Sequence, residues 1–366
     1  MGILDTGIRN AKNVRNYMFG PGSIQSLPKL LQAPRQNRDQ RVGFFIDEFF
    51  KNNASILNNL AIESGDHVVF VPTEKEPTTD QIDSYLSAIR EKNLNISAIV
   101  GMGGGITLDV AKAVANLLTN PGKAADYQGW DLVKNPAVYK IGIPTISGTG
   151  AEATRTCVMT NTKTGVKLGM NSDFTVYDQI ILDSDLTSTV SRDQYFWTGM
   201  DTYVHCIEAL AGSYRNAIGD AFSREAVNLC QQVFLSEDMM TSEAREKLMV
   251  ASYLGGCAIA TSYVGVVHPF SAGLSVVLGL HHCVSNCIVM RAVEEFYPEP
   301  YAEFWKMVEK QNIHIPEGVC RGLKDEEFDR LYASTIVHEK PLTNALGPNF
   351  GKILTREKVK ETFLKM

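Results

Sequence analysis

Asp201 and His205 stand four apart in the apolar stretch YFWTGMDTYVHCIEAL, and His268 and His282 follow further along the chain. On a helix, residues at i and i+4 share a face, which aims the carboxylate and the imidazole of the first pair at one point. Borderline-soft divalent cations such as iron(II) and zinc accept imidazole together with carboxylate, and a set of three imidazoles and one carboxylate leaves a position open for substrate. An ordinary i,i+4 contact accounts for an isolated Asp-x-x-x-His pair without any ion, so the pair needs support from elsewhere in the chain.

A second group lies upstream. Gly101, Gly103, Gly104 and Gly105 end the strand-like run ISAIV and open the amphipathic segment ITLDVAKAVANLL. Glycines at such a junction let a phosphate approach backbone N–H groups and the positive end of a helix, although a tight turn with close helix packing uses the same residues. Asp47 ends the apolar run VGFFI, a position from which a carboxylate accepts hydrogen bonds from a ribose diol. This acid precedes the glycines, whereas the usual dinucleotide fingerprint puts it about 20 residues after them, and the order argues against an ordinary Rossmann domain. In IPTISGTGAEAT (143–154), Thr145, Ser147, Gly148, Thr149 and Gly150 suit contacts to phosphate or to a nicotinamide carboxamide, or form a polar turn. Lys167, in TGVKLGM, is placed to approach the same cofactor or to stay in solvent.

Positioning these groups requires two kinds of element. Strand-like runs at 41–47, 67–73, 96–102 and 139–145 alternate with helical patterns such as TTDQIDSYLSAIREKN (78–93). Such alternation predicts βαβ units and a parallel sheet covered by helices, with ligands at the C-terminal ends of the strands. After residue 185 long helical patterns take over, at 195–212, 219–235 and 242–267. The expected organisation is therefore an α/β nucleotide-binding domain at 1–185 and an all-α domain at 186–366 that carries all four metal candidates. A cleft between two such domains is the default active site.

Composition narrows the function classes. With 366 residues, 44% hydrophobic and 21% charged, the chain fits two globular domains. A net charge of -6 and the absence of a dense basic run argue against nucleic acid as a partner. The apolar stretches are broken before membrane-spanning length, which argues against a membrane partner. No cationic segment leads into an apolar one in MGILDTGIRNAKN, so a cytoplasmic protein is expected; Gly2 and Thr6 fit a myristoylation pattern too short to carry weight. Seven cysteines without a CxxC pair point to reduced thiols.

Taken in order, the motifs resemble those of the iron-containing alcohol dehydrogenase family, whose fold is shared with dehydroquinate synthase. The carrying segments are Asp47, EPT (76–78), GGGITLDVAKAVA (103–115), PTISGTGAEAT (144–154), KLGM (167–170), ILDSDLT (181–187) and GMDTYVHCIEA (199–209), and His268 and His282 have the separation of the family's last two metal ligands. The resemblance implies NAD and one divalent metal ion, iron or zinc, and oxidation of an alcohol or reduction of an aldehyde. It implies Asp201, His205, His268 and His282 as ligands. Asp47, Gly103, Gly104, Gly105, Asp109, Thr145, Thr149 and Lys167 are implied on the cofactor side. The family often carries a further His four residues after the third ligand; Ala272 stands there, which leaves His281 as a substitute catalytic residue, or as the ligand itself if the register shifts by one.

Within the family, the histidine spacing and the C-terminal region look most like the 3-deoxy-manno-octulosonate (Kdo) 8-oxidase branch. The likeness implies oxidation of the terminal hydroxymethyl of an acidic sugar, with an aminotransferase downstream in lipopolysaccharide synthesis. The alternatives are a dehydrogenase of a short alcohol, diol or lactaldehyde and, more remotely, a dehydroquinate synthase-like lyase that returns its hydride in each turnover. A homodimer is the ordinary expectation for an enzyme of this size.

Overall fold

The computed structural model describes residues 8 and 10–366; Gly2 and Thr6 of the myristoylation pattern lie outside them. The chain divides into two compact units. One comprises Lys12–Ile146 and Ala151–Thr189; the other comprises Ser147–Gly150 and Val190–Met366 with the described residues before Lys12.

The first unit is built on nine strands: β1 (Asn16–Phe19), β2 (Gln40–Asp47), β3 (His67–Val71), β4 (Asn95–Gly103), β5 (Gly129–Trp130), β6 (Tyr139–Pro144), β7 (Thr156–Thr160), β8 (Lys167–Asn171) and β9 (Gln179–Leu182). Its helices are the single turns α1 (Leu27–Leu30) and α2 (Ala54–Leu57) and the longer α3 (Thr79–Glu91) and α4 (Gly105–Leu117). Six strands form an all-parallel sheet in the order β1-β9-β6-β4-β2-β3. Val42 and Phe44–Ile46 of β2 are fully buried, as are Ala98–Val100 and Met102 of β4, which is the continuous apolar pattern of strands covered on both faces. The order places β2, β4 and β6 side by side, so their C-terminal ends bring Asp47, Gly103 and Thr145 to one edge; Thr145 N–H donates to Gly103 O at 3.1 Å.

The expected parallel sheet is present, with strand β3 ending at Val71 because Pro72 cannot donate to the ladder. Strand β1 and a small sheet of order β5-β8-β7 were not anticipated.

The second unit is helical: α5 (Arg192–Ala211), α6 (Ala217–Phe234), α7 (Ser242–Thr261), α8 (Val267–Leu278), α9 (His282–Val289), α10 (Pro298–Gln311), α11 (Asp325–Ile336), α12 (Glu339–Leu346), α13 (Phe350–Ile353) and α14 (Arg356–Leu364). Among the described residues no strand follows Leu182, and no helix is long and apolar enough to cross a membrane. The helical pattern at 242–267 is interrupted: α7 stops at Thr261, where Ser262 turns to an extended conformation and its hydroxyl donates to Ala258 O. All seven cysteines are buried thiols outside any disulfide.

The sheet unit also buries a cation. Lys140 on β6 is 2% exposed, with Asp178 Oδ2 at 3.6 Å from its ammonium. Burial, opposed by Asp178, drops its pKa from 10.5 to about 8. A group held below its unfolded value contributes stability above that value and loses it as pH falls through the folded value. Unfolding free energy measured in urea for the native chain, less that of Lys140→Met, is expected to rise by about 2 kcal/mol from pH 7 to pH 9.5. A flat difference would refute the buried charge.

Candidate functional site

Helix α5 carries Asp201, His205 and Glu208 on one stripe, at spacings of four and three residues that a 3.6-residue turn stacks above one another. All three are buried. Residues of α8 and α9 close on that stripe. His205 Nε2 lies 3.4 Å from Asp201 Oδ1, His268 Nε2 lies 3.2 Å from the same atom and His282 Nε2 3.6 Å. The His205 and His268 rings stack at 4.6 Å between centroids, and His282 tilts at 5.3 Å from His268. Ligand atoms of Asp201, His205 and His268 all fall within 4.8 Å of one another; His282 stands slightly outside that triad.

Three imidazole nitrogens facing one carboxylate oxygen set the electrostatics. Burial alone would raise the pKa of Asp201, but His205, His282 and His268 reverse the direction and hold it far below the carboxylate range. Burial takes His205 down to about 4 in spite of Asp201, which leaves a neutral ring suited to ligation. At His268 burial is outweighed by Glu208 and Asp201, which raise it to about 9. Its Nδ1 donates to Glu208 Oε2 while its Nε2 faces Asp201, so each ring nitrogen meets a carboxylate. Such a ring is satisfied either by a second proton or by a cation at Nε2, and the donor set of imidazoles and carboxylate fits a divalent metal.

Three side chains around this cluster were not foreseen. Glu208 is the partner of His268; its place three residues after His205 was the available signal. Asn286, four residues after His282 on α9, donates to Asp201 Oδ1 at 2.6 Å, and Cys283 Sγ lies 3.7 Å from Asp201 Oδ2. His281 is the exposed N-cap of α9, and Ala272 is buried on α8.

In the sheet unit, β4 ends at Gly103, and Gly104 is an N-cap without a side chain for α4. A Cβ at Gly103 would lie 2.7 Å from Thr107 and 2.9 Å from the Cβ of Asp47, and the backbone there has φ +158°. Asp47 therefore adjoins the glycine turn across the β2–β4 pair. Its carboxylate accepts from Phe49 N–H at 3.0 Å, and burial raises its pKa. The strand order explains how an acid upstream of the glycines in sequence reaches them in space.

Two of the other expected cofactor residues, Asp109 and Lys167, have side-chain partners within the protein. Asp109 Oδ2 accepts from Val158 N–H at 2.8 Å and pairs with Lys112 at 3.3 Å. Lys167 on β8 pairs with Glu76 at 3.0 Å.

Thr149 lies in Ser147–Gly150, the short segment that packs with the helical unit. Thr202, next to Asp201, donates its hydroxyl to Gly148 O at 2.6 Å, and Ser252 Oγ on α7 accepts from Gly148 N–H at 2.9 Å and from Gly150 N–H at 3.2 Å. The segment is thus bolted to the helix that carries Asp201 and His205.

A family model described as "Iron-containing alcohol dehydrogenase" matches residues 15–184, and one described as "Fe-containing alcohol dehydrogenase family, C-terminal" matches residues 196–327. A sulfoacetaldehyde reductase of Bilophila wadsworthia is 33% identical over 58% of this chain and 55% of its own. An NAD-dependent methanol dehydrogenase of Bacillus methanolicus is 30% identical over 66% of this chain and 63% of its own. The match therefore spans less than two thirds of either relative's length. The crystal structure of a sulfoacetaldehyde reductase from Bifidobacterium kashiwanohense in complex with NAD+ has a TM-score of 0.77 at 21% identity, covering 97% of this chain and 98% of that one, and attests the fold.

The segment 147–150 supplies a test of this geometry. Gly148 has φ +149°, and a Cβ there would fall 1.7 Å from the Thr198 carbonyl oxygen. Gly148→Ala is expected to destabilise the protein by about 3 kcal/mol or more, since backbone strain and overpacking add. Thr202→Val, which loses one hydrogen bond, should cost about 1 kcal/mol. Denaturation midpoints decide: equal losses for the two variants would contradict the close approach.

Proposed function

Because the chain belongs to the iron-containing alcohol dehydrogenase family, we propose that it is a metal- and NAD-dependent oxidoreductase that interconverts a primary alcohol and its aldehyde. The observation that carries this reading is the convergence of three imidazoles on one oxygen of the buried Asp201 carboxylate.

Asp201, His205, His268 and His282 hold a divalent ion, iron or zinc, which when bound supplies Lewis acidity toward an alcohol oxygen. NAD supplies the hydride acceptor, and the chain supplies its placement. Gly103, Gly104 and Gly105 leave the backbone at the start of α4 open to a pyrophosphate, where helix N–H groups favour negative charge. Asp47 accepts the adenosine ribose hydroxyls and repels a 2′-phosphate. Thr145 and Thr149 serve the nicotinamide side. Asp109 and Lys167 act through their protein partners, bracing β7 and β8. Ala272 offers no titratable group, so departure of the alcohol proton falls to His281 or to solvent.

For the substrate we retain the acidic eight-carbon sugar Kdo, oxidised at C8 ahead of an aminotransferase, on the strength of the histidine spacing and C-terminal likeness. A smaller alcohol or aldehyde is the second reading, favoured by the matches to sulfoacetaldehyde reductase and methanol dehydrogenase. A homodimer is the expected assembly.

Incubating the metal-loaded protein with NAD and a panel of sugar acids, sulfonated and plain short alcohols, with aldehyde detected by mass, separates these readings. Formation of NADH with none of them would remove the dehydrogenase assignment. His268→Ala is expected to lose bound metal and activity together while NAD affinity stays within about twofold; stoichiometric metal in that variant would overturn the ligand set. In Asp47→Ser the preference for NAD over NADP should narrow at least tenfold, about 1.4 kcal/mol. An unchanged ratio would exclude Asp47 from that role.

A further inference from the structure

Glu208 is as buried as the cluster it adjoins, with a side chain of 0% exposure. A buried carboxylate is costly unless its oxygens are satisfied. Glu208 meets this condition with two donors from consecutive residues: Oε1 accepts from Val267 N–H at 2.5 Å, at the opening of α8, and Oε2 accepts from His268 Nδ1–H. The neighbourhood is tailored to it. Gly265 leaves room where a Cβ would come within 3.2 Å of Oε1, and Tyr297 Oη accepts from Val266 N–H at 3.1 Å, so both N–H groups before His268 have side-chain acceptors.

The three imidazoles are not anchored alike. His268 has a carboxylate on its far nitrogen, His282 Nδ1 meets the Ser271 hydroxyl at 3.3 Å, and His205 Nδ1 is buried without a hydrogen-bond partner. Glu208 is therefore a charged group that fixes which nitrogen of His268 is left to face Asp201. With Nδ1–H held by Glu208, Nε2 is the free donor atom.

We propose that Glu208 is a positioning residue for the metal centre: it locks His268 in the Nδ1–H tautomer, orients its ring through the start of α8, and adds a second negative charge beside the ion. With neutral imidazoles, Asp201 and Glu208 together balance a divalent cation. Carboxylates behind a ligating imidazole raise its basicity, and their removal typically costs about 10- to 100-fold in metal affinity. This role rests on the metal reading given above.

The test compares the native chain with Glu208→Gln, Glu208→Asp and His268→Ala by chelator competition for zinc and cobalt(II), with NAD binding recorded on the metal-free proteins. Glu208→Gln keeps the shape but replaces one acceptor by a donor. It should weaken metal binding by about 10- to 100-fold and shift the visible cobalt band, with NAD binding unchanged. The downfield proton signal of His268 Nδ1–H should be lost in Glu208→Gln as in His268→Ala. Glu208→Asp, one methylene short, should recover part of the affinity. Native affinity and an unmoved cobalt spectrum in Glu208→Gln would overturn the proposal while leaving the metal reading intact. A native chain that binds no metal would instead sink the metal reading itself. Should Glu208→Gln fail to fold, the Glu208→Asp affinity and spectrum decide in the same way.

Discussion

A carboxylate withdrawn from water and ringed by imidazoles is the constraint around which the helical unit is arranged. Asp201 is 1% exposed, and its Oδ1 has three imidazole nitrogens within 3.6 Å and the Asn286 amide at 2.6 Å. An isolated charge there would be strongly unfavourable, so the surrounding helices are committed to supplying positive character, by proton or by ion. Helix α5 presents Asp201 and His205, α8 presents His268 and α9 presents His282. The hydroxyls of Thr202 and Ser252 extend the same arrangement to the glycine-rich segment 147–150. Packing thus serves the charge, and the charge in turn fixes which helices adjoin.

The sheet unit solves a different problem, that of leaving backbone bare. Three neighbouring parallel strands end together, and where β4 passes into α4 the chain uses glycines, so Gly103, Gly104 and Gly105 put no side chain of their own over the start of the helix. Asp47 enters from the adjacent strand with its carboxylate partly engaged by Phe49 N–H. Buried Lys112 supports the far side of α4, donating to Ala151 O at 2.8 Å, to Thr154 Oγ1 at 3.1 Å and to Thr156 O. The ammonium gathers oxygens of the stretch following Gly150, so helix α4 helps to hold that stretch.

Much of this was legible in the residues. The apolar runs of β2, β4 and β6 are continuous because both faces are buried, and the period of α3 is plain because one face is wet. Strand β1, with Asn16, Tyr17 and Phe19 exposed at the sheet edge, carries no such pattern, and β5 is only two residues long. The Asp201–His205 pair could be read from its spacing. Glu208 sat on the same stripe but reads as an ordinary helix acid until α8 is placed against it. Asp109 and Lys167 could be found as charged residues in motifs, yet their partners Val158 and Glu76 belong to segments whose pairing no local pattern specifies.

One consequence follows from Asp201, His205 and Glu208 sharing a stripe within eight consecutive residues. An α-helix turns by about 100° per residue, so inserting or deleting a single residue between 201 and 208 would swing part of the stripe to another face. His268 and His282 are separated by the end of α8, the left-handed Gly279 and the start of α9, an irregular link able to absorb a change in length. Length variation over evolutionary drift should accordingly be least tolerated inside α5, where no irregular link intervenes.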